Sequence, residues 1–200
     1  YDYGWEDASD YLDKGYGYKK DDKDNDYDRM LKLAKEKSNY AYYYHQNSGD
    51  YNCFYSDLFN KDSMKLIFKN SSKGNNACGY ALGSEMDSIS STDLQNYKDA
   101  GGNMKYTSYI GTLIDQLIFN LYSNVTVEEF EKKLKILVES GVNINQVQTS
   151  EQANSGKNTL DVFLNKNYYV VTDKTKKIYN ILKKNGAKCL KECRHEKNFK

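Results

Sequence analysis

Proline is absent from all 200 residues. No helix here can open on the residue whose fixed φ suits a first turn, so helix starts must rest on side-chain caps. Histidine is nearly as scarce. His45 and His195 are the two copies, and neither stands beside a plausible cysteine or serine nucleophile, which leaves little material for general-base catalysis. The chain has no G-x-x-x-x-G-K-S/T loop, no nucleophile elbow and no H-E-x-x-H, the motifs that would announce phosphate, acyl-transfer or zinc-protease chemistry. No run approaches the roughly 18 apolar residues of a membrane span, and no secretory signal is present. Bulk charge is missing too: 29 basic and 28 acidic side chains demand neither nucleic acid nor membrane as a partner. The expectation is a non-enzymatic protein without cofactor or metal. A cytoplasmic home is favoured, although the chain begins at Tyr1 rather than methionine, which leaves an upstream segment open.

What the chain has in quantity is tyrosine. Mean hydropathy is low, −0.89, but 20 tyrosines, 7 phenylalanines and one tryptophan supply buried area that a disordered composition lacks. The ends are lopsided. Residues 1–28 hold 10 acidic and 4 basic side chains, and residues 174–200 hold 10 basic and 2 acidic. Either these are solvated ends, or the basic one grips an acidic partner. Asp22–Asp28 echoes the start of a calcium loop, but the position of its bidentate glutamate falls on Leu33. Among four cysteines, Cys53 and Cys78 fall in or beside predicted helices and read as buried thiols. Cys189, Cys193 and His195 lie together near the C-terminus as candidate metal ligands rather than a nucleophile and base; three fall short of a four-ligand zinc site, so a disulfide or idle thiols are expected there.

Order in the chain is centred on Thr126–Asn145. Thr126 can cap a helix, and Glu129 three places on completes a capping box. Val125 and Phe130 stand where a hydrophobic staple would place them. Val127, Phe130, Leu134, Leu137 and Val138 recur at helical spacing, leaving the Glu/Lys face to water. Gly141 follows the last turn, where a residue at ease with positive φ stops a helix.

Copies of this unit recur. Similar stops fall at Ser38, Ser71, Gly101, Gly141 and Gly186, at spacings of 33, 30, 40 and 45. A second motif follows several of them: G-T-L-I-D from Gly111 and G-K-N-T-L-D from Gly156, with a blurred form at Ala77. Asp26, Asp62, Ser90 and Asp173 are placed to open further helices.

The pattern resembles the ankyrin repeat family, whose unit of about 33 residues is a β-turn and two helices. Thr112–Asp115 and Thr159–Asp161 stand where the family has T-P-L-H, with aspartate in place of its histidine and no proline. The resemblance runs from Met30 to Leu190 and is clearest from Leu94 onward. It implies an all-α, helix-turn-helix solenoid of roughly four to five repeats. Residues 1–25 would form a divergent N-terminal cap or flexible lead-in, residues 26–190 the repeat domain, and residues 191–200 a basic tail. It further implies binding of another protein through finger loops and first helices. The candidate contacts are Tyr106, Thr107 and Tyr109 in one finger and Gln146, Gln148 and Thr149 in the next. Two other readings stand beside it: an enzyme or metal-dependent module in the divergent N-terminal half, and nucleic-acid binding by the lysine-rich C-terminal segment.

Overall fold

A computed structural model describes residues 61–70, 73–119, 121, 125–167 and 170–200. The expected cap over 1–25, the Asp26 helix, His45, Cys53, the stops at Ser38 and Ser71, and the acidic run Asp22–Asp28 lie outside the described residues. Those described are mostly helical. In chain order they form α1 (Lys61–Asn70), a 3-10 turn (Gly74–Asn76), α2 (Gly79–Ser84), α3 (Ser91–Asp99), β1 (Thr107–Ser108), β2 (Gly111–Thr112), α4 (Leu113–Phe119), α5 (Val127–Glu139), α6 (Thr159–Asn167), α7 (Asp173–Lys184) and a second 3-10 turn (Cys193–Asn198). No described helix is long and apolar enough to cross a membrane.

Two compact units are formed. One takes the described residues up to Leu82 together with Asn96–Asn103, and the other takes Gly83–Gln95 and Met104–Lys200. In the first, Met64, Ile67 and Phe68 are buried on one side of α1, as their spacing predicts. Asp62 is not that helix's cap, because the helix already includes Lys61. Phe68 meets the edge of Tyr97 at 5.7 Å between centroids. The Tyr97 hydroxyl donates to the Asn103 carbonyl at 3.0 Å, so a fully buried ring keeps its polar tip satisfied. Gly102 has no alternative here: a Cβ would stand 2.4 Å from the Tyr97 ring.

The second unit is built on its helix starts and stops. Thr126 caps α5, accepting the Glu129 N–H at 3.1 Å, and Ser90 and Asp93 close a reciprocal box at the start of α3. Thr112 and Asp115 do the same for α4, and Asn158 and Asp161 for α6. The two G-x-T-L-type motifs therefore align one residue differently from their letters. Asn158, not Thr159, is the equivalent of Thr112. Thr172, with Thr175, caps α7, one residue before the Asp173 expected to open it. At the other ends, Gly141 and Gly186 have φ of 84 and 90°, as Gly101 of the first unit has 90°, and each follows one bonding scheme. At Gly141 the glycine N–H reaches Val138 and the next N–H reaches Leu137, the two bonds that close a helix over a left-handed residue.

Between these ends the apolar faces meet. α4 packs on α5 and α6, α5 on α7, and α6 on the second 3-10 turn. Leu113, Ile114, Leu117, Ile118, Phe130, Leu134, Leu137, Leu160, Phe163, Leu164 and Leu182 are wholly buried, each contributing about 1.5–3 kcal/mol of apolar transfer. Two expectations for α5 fail. Lys133 is buried, 1% exposed, although it belongs to the face assigned to water. Glu129 does not return to Thr126 to complete the capping box. Its carboxylate accepts instead from the Ser91 N–H at 2.9 Å and the Ser91 hydroxyl at 3.2 Å, at the positive start of α3.

Candidate functional site

The residues between α3 and α4 form a short antiparallel hairpin, Thr107 opposite Thr112 and Ser108 opposite Gly111. The residues between α5 and α6 form a longer, strandless loop from Val142 to Asn158. Both loops are rich in backbone groups that no helix or ladder can use, and their side chains and backbones use one another. Gln148 Nε2 donates to the Ile110 carbonyl at 2.9 Å, Gln152 Nε2 to the Ser108 carbonyl at 2.9 Å, and the Ala153 N–H to the Tyr109 carbonyl at 2.8 Å. Within the longer loop, Gln148 Oε1 accepts the Asn154 N–H, and the Gln148 backbone exchanges bonds with Lys157 and Gly156.

This geometry divides the six candidate contact residues. Tyr109 stands outward, 68% exposed, and Thr107, Gln146 and Thr149 are exposed around it. Tyr106 is half-buried. Gln148 is buried, 4% exposed, and both ends of its amide are bonded inside the unit; it positions the loops rather than facing solvent. Val147, missed in the sequence, is exposed to 45%. Its one legible signal is an apolar side chain in the otherwise polar run N-Q-V-Q-T.

Three charged side chains of this unit, Asp115, Asp161 and Lys133, are buried. Asp115 Oδ2 accepts the Thr112 N–H at 2.9 Å and its Oδ1 the Thr159 hydroxyl at 2.8 Å. Burial pushes this carboxyl up from its ordinary value, against the pull of those donors. Asp161 holds the equivalent place in α6 with the opposite outcome. Burial alone would raise it, but Oδ1 accepts the N–H groups of Leu190, Lys191 and Glu192 at 2.8, 2.9 and 3.1 Å and Oδ2 the Asn158 N–H. Together these donors hold it below the usual carboxylate range. Lys133 is the cationic counterpart. Its Nζ donates to the carbonyls of Met86 at 2.7 Å and Ile89 at 2.9 Å, while burial lowers its pKa against the opposing charges of Glu129 and Asp87.

The segment assigned to a basic tail is packed. Cys189 and Cys193 are joined in a disulfide, and Phe199 is buried between Phe163 at 5.3 Å and Tyr179 at 5.5 Å. Glu196 accepts from the Tyr179 hydroxyl at 2.9 Å and pairs with Lys183 at 3.3 Å. Burial, joined by the bond to Glu196, pushes the Tyr179 phenol up to about 12. Lys157 lies 3.1 Å from Glu192. Cys189, Cys193 and Glu196 bring one donor atom each within 4.8 Å, but the sulfurs are bonded to each other and are not the thiolates that hold a metal. His195 lies 3.5 Å from Glu192. Cys78 is likewise disulfide-bonded, which overturns the free-thiol reading for that residue.

Comparison with protein-family models, with curated proteins and with solved structures gave no match. The functional reading rests on this chain's own geometry.

Proposed function

We propose that this chain is a non-enzymatic, ankyrin-like helical solenoid of roughly four to five repeats that binds another protein through its finger loops and the adjoining first helices. Four features support the ankyrin-like reading. The helix stops at Gly101, Gly141 and Gly186 share one bonding scheme. The helices that follow the fingers, α4 and α6, start with the same box of polar residues. These two first helices pack on one another, as do the second helices α5 and α7.

The observation that carries the binding role is the bracing of Tyr109. Three hydrogen bonds tie its hairpin to the next loop while its ring stays 68% exposed. A tyrosine held outward by an ordered backbone offers contact area with little ordering cost on association. Thr107, Gln146, Val147 and Thr149 complete the proposed contact surface, and Gln148 and Gln152 hold it in shape. The partner is a protein with a largely uncharged complementary patch, since these five side chains carry no charge.

A photo-crosslinking side chain at position 109 tests this, with one at Lys135 on α5 as the control. Adducts to a defined protein at 109 but not at 135, lost on Val147→Asp, are expected. Equal labelling at both positions, or adducts indifferent to Val147→Asp, would overturn the reading.

A further inference from the structure

The C-terminal segment is organised by one carboxylate. Leu190, Lys191 and Glu192 point successive N–H groups at Asp161 Oδ1, at 2.8, 2.9 and 3.1 Å. Successive N–H groups converging on one point form an anion-binding nest, and here the anion belongs to the protein. The nest is the interior of the loop that the Cys189–Cys193 disulfide closes, a sequence separation of four. A loop this short restricts the unfolded chain less than a long one would, and within the fold the bond acts on its own loop: it keeps three backbone N–H groups converged on a buried charge. Cys193 also opens the 3-10 turn Cys193–Asn198, which carries Glu196 to Tyr179 and Lys183 and leads to Phe199 on the rings of Phe163 and Tyr179. Cys193 is exposed, within reach of a reductant.

We propose that the Cys189–Cys193 disulfide is a redox latch that holds the C-terminal segment over α6 and α7. A cellular dithiol passes two electrons and two protons to the pair. The Sγ–Sγ bond breaks, two thiols form, and the reductant leaves as its own disulfide. The N–H groups of 190–192 then lose their common direction, and Asp161 keeps its buried charge with fewer donors. The strain is relieved when the segment lifts, taking Glu196 and Phe199 with it and uncovering the rings of Phe163 and Tyr179. In the reverse exchange a small-molecule disulfide takes the two electrons and two protons and leaves as two thiols, the Sγ–Sγ bond re-forms, and the nest and the segment close again.

Amide hydrogen exchange on the full chain reads this directly. In a Cys189→Ser, Cys193→Ser variant, with Cys78 left oxidised, the amides of Leu190, Lys191 and Glu192 should exchange about tenfold faster or more, while those of α5 stay as in the parent. Dithiothreitol added to the parent at a level that leaves Cys78 oxidised should reproduce the same local change, reversed by re-oxidation, once mass spectrometry confirms that Cys189 and Cys193 alone are alkylatable. Exchange at 190–192 within about twofold of the oxidised parent, in chains shown to be reduced, overturns the latch. So does global loss of protection that includes α5 in the serine variant, because the bond would then be a staple of the whole unit.

Discussion

The Thr159 hydroxyl donates to Asp115 at 2.8 Å, joining the first residue of α6 to the third residue of α4 across 44 positions of sequence. The same aspartate caps its own helix. One carboxylate therefore serves both a local and a tertiary bond, and its counterpart Asp161 does likewise with the C-terminal loop.

The two aspartates should respond oppositely to amide substitution. Asp161→Asn places an N–H₂ group against backbone donors and should cost about 2–4 kcal/mol at pH 7. Asp115→Asn keeps an oxygen for the Thr112 N–H, and the Thr159 hydroxyl can turn to accept, so the change should stay within about 1 kcal/mol. The signs also differ with pH. The folded pKa of Asp161 lies below its unfolded value, so its stabilisation is complete above the unfolded pKa and is lost as pH falls through the folded one. Asp115 is raised; its contribution favours folding at low pH and declines as pH climbs from the unfolded toward the folded pKa. Urea titrations of both variants between pH 3 and 7, roughly the carboxylate window, check this. Equal slopes for the two would contradict the assignment.

Lys133→Met fills similar volume but leaves the Met86 and Ile89 carbonyls without their donor. A loss of about 2–4 kcal/mol is expected, each unsatisfied carbonyl costing about 1–3 kcal/mol. Thermal unfolding that matches the parent would place the lysine in water after all.

Glu129 and Thr126 serve different helix starts, so their losses should add. Thr126→Ala and Glu129→Ala should each cost about 1 kcal/mol, and the double variant about 2, within about 0.5 of the sum. Strong coupling in the double-mutant cycle would restore the closed capping box.

At Gly141, φ is 84° and an added Cβ would meet only the Lys105 side chain, at 3.4 Å. The backbone alone opposes substitution. Gly141→Val should destabilise by about 1–3 kcal/mol, whereas Gly141→Asn should lose less, since asparagine tolerates this region better than a β-branched residue. Melting temperatures in the order parent, asparagine, valine are the expected result.

The sequence by itself determined what is settled within one or two helical turns. Thr126 reaches an N–H three residues away, Ser90 and Asp93 close over the same distance, and Gly141 and Gly186 stop their helices through bonds to the preceding turn. Helical geometry fixes those distances, so spacing and residue type suffice to read them. The buried stripe of Phe130, Leu134 and Leu137 follows from the same period. The tertiary structure alone decided where groups with more than one possible partner went. Lys133 finds carbonyls 44 and 47 residues away, Glu129 leaves its own cap for Ser91 at a separation of 38, and Gln148 turns inward to Ile110. Asp161 meets N–H groups some 30 residues on, which is why a segment that reads as a basic tail is packed. In the unfolded chain water satisfies each of these side chains equally well. Only tertiary packing removes that water and leaves a particular turn or loop as the remaining partner.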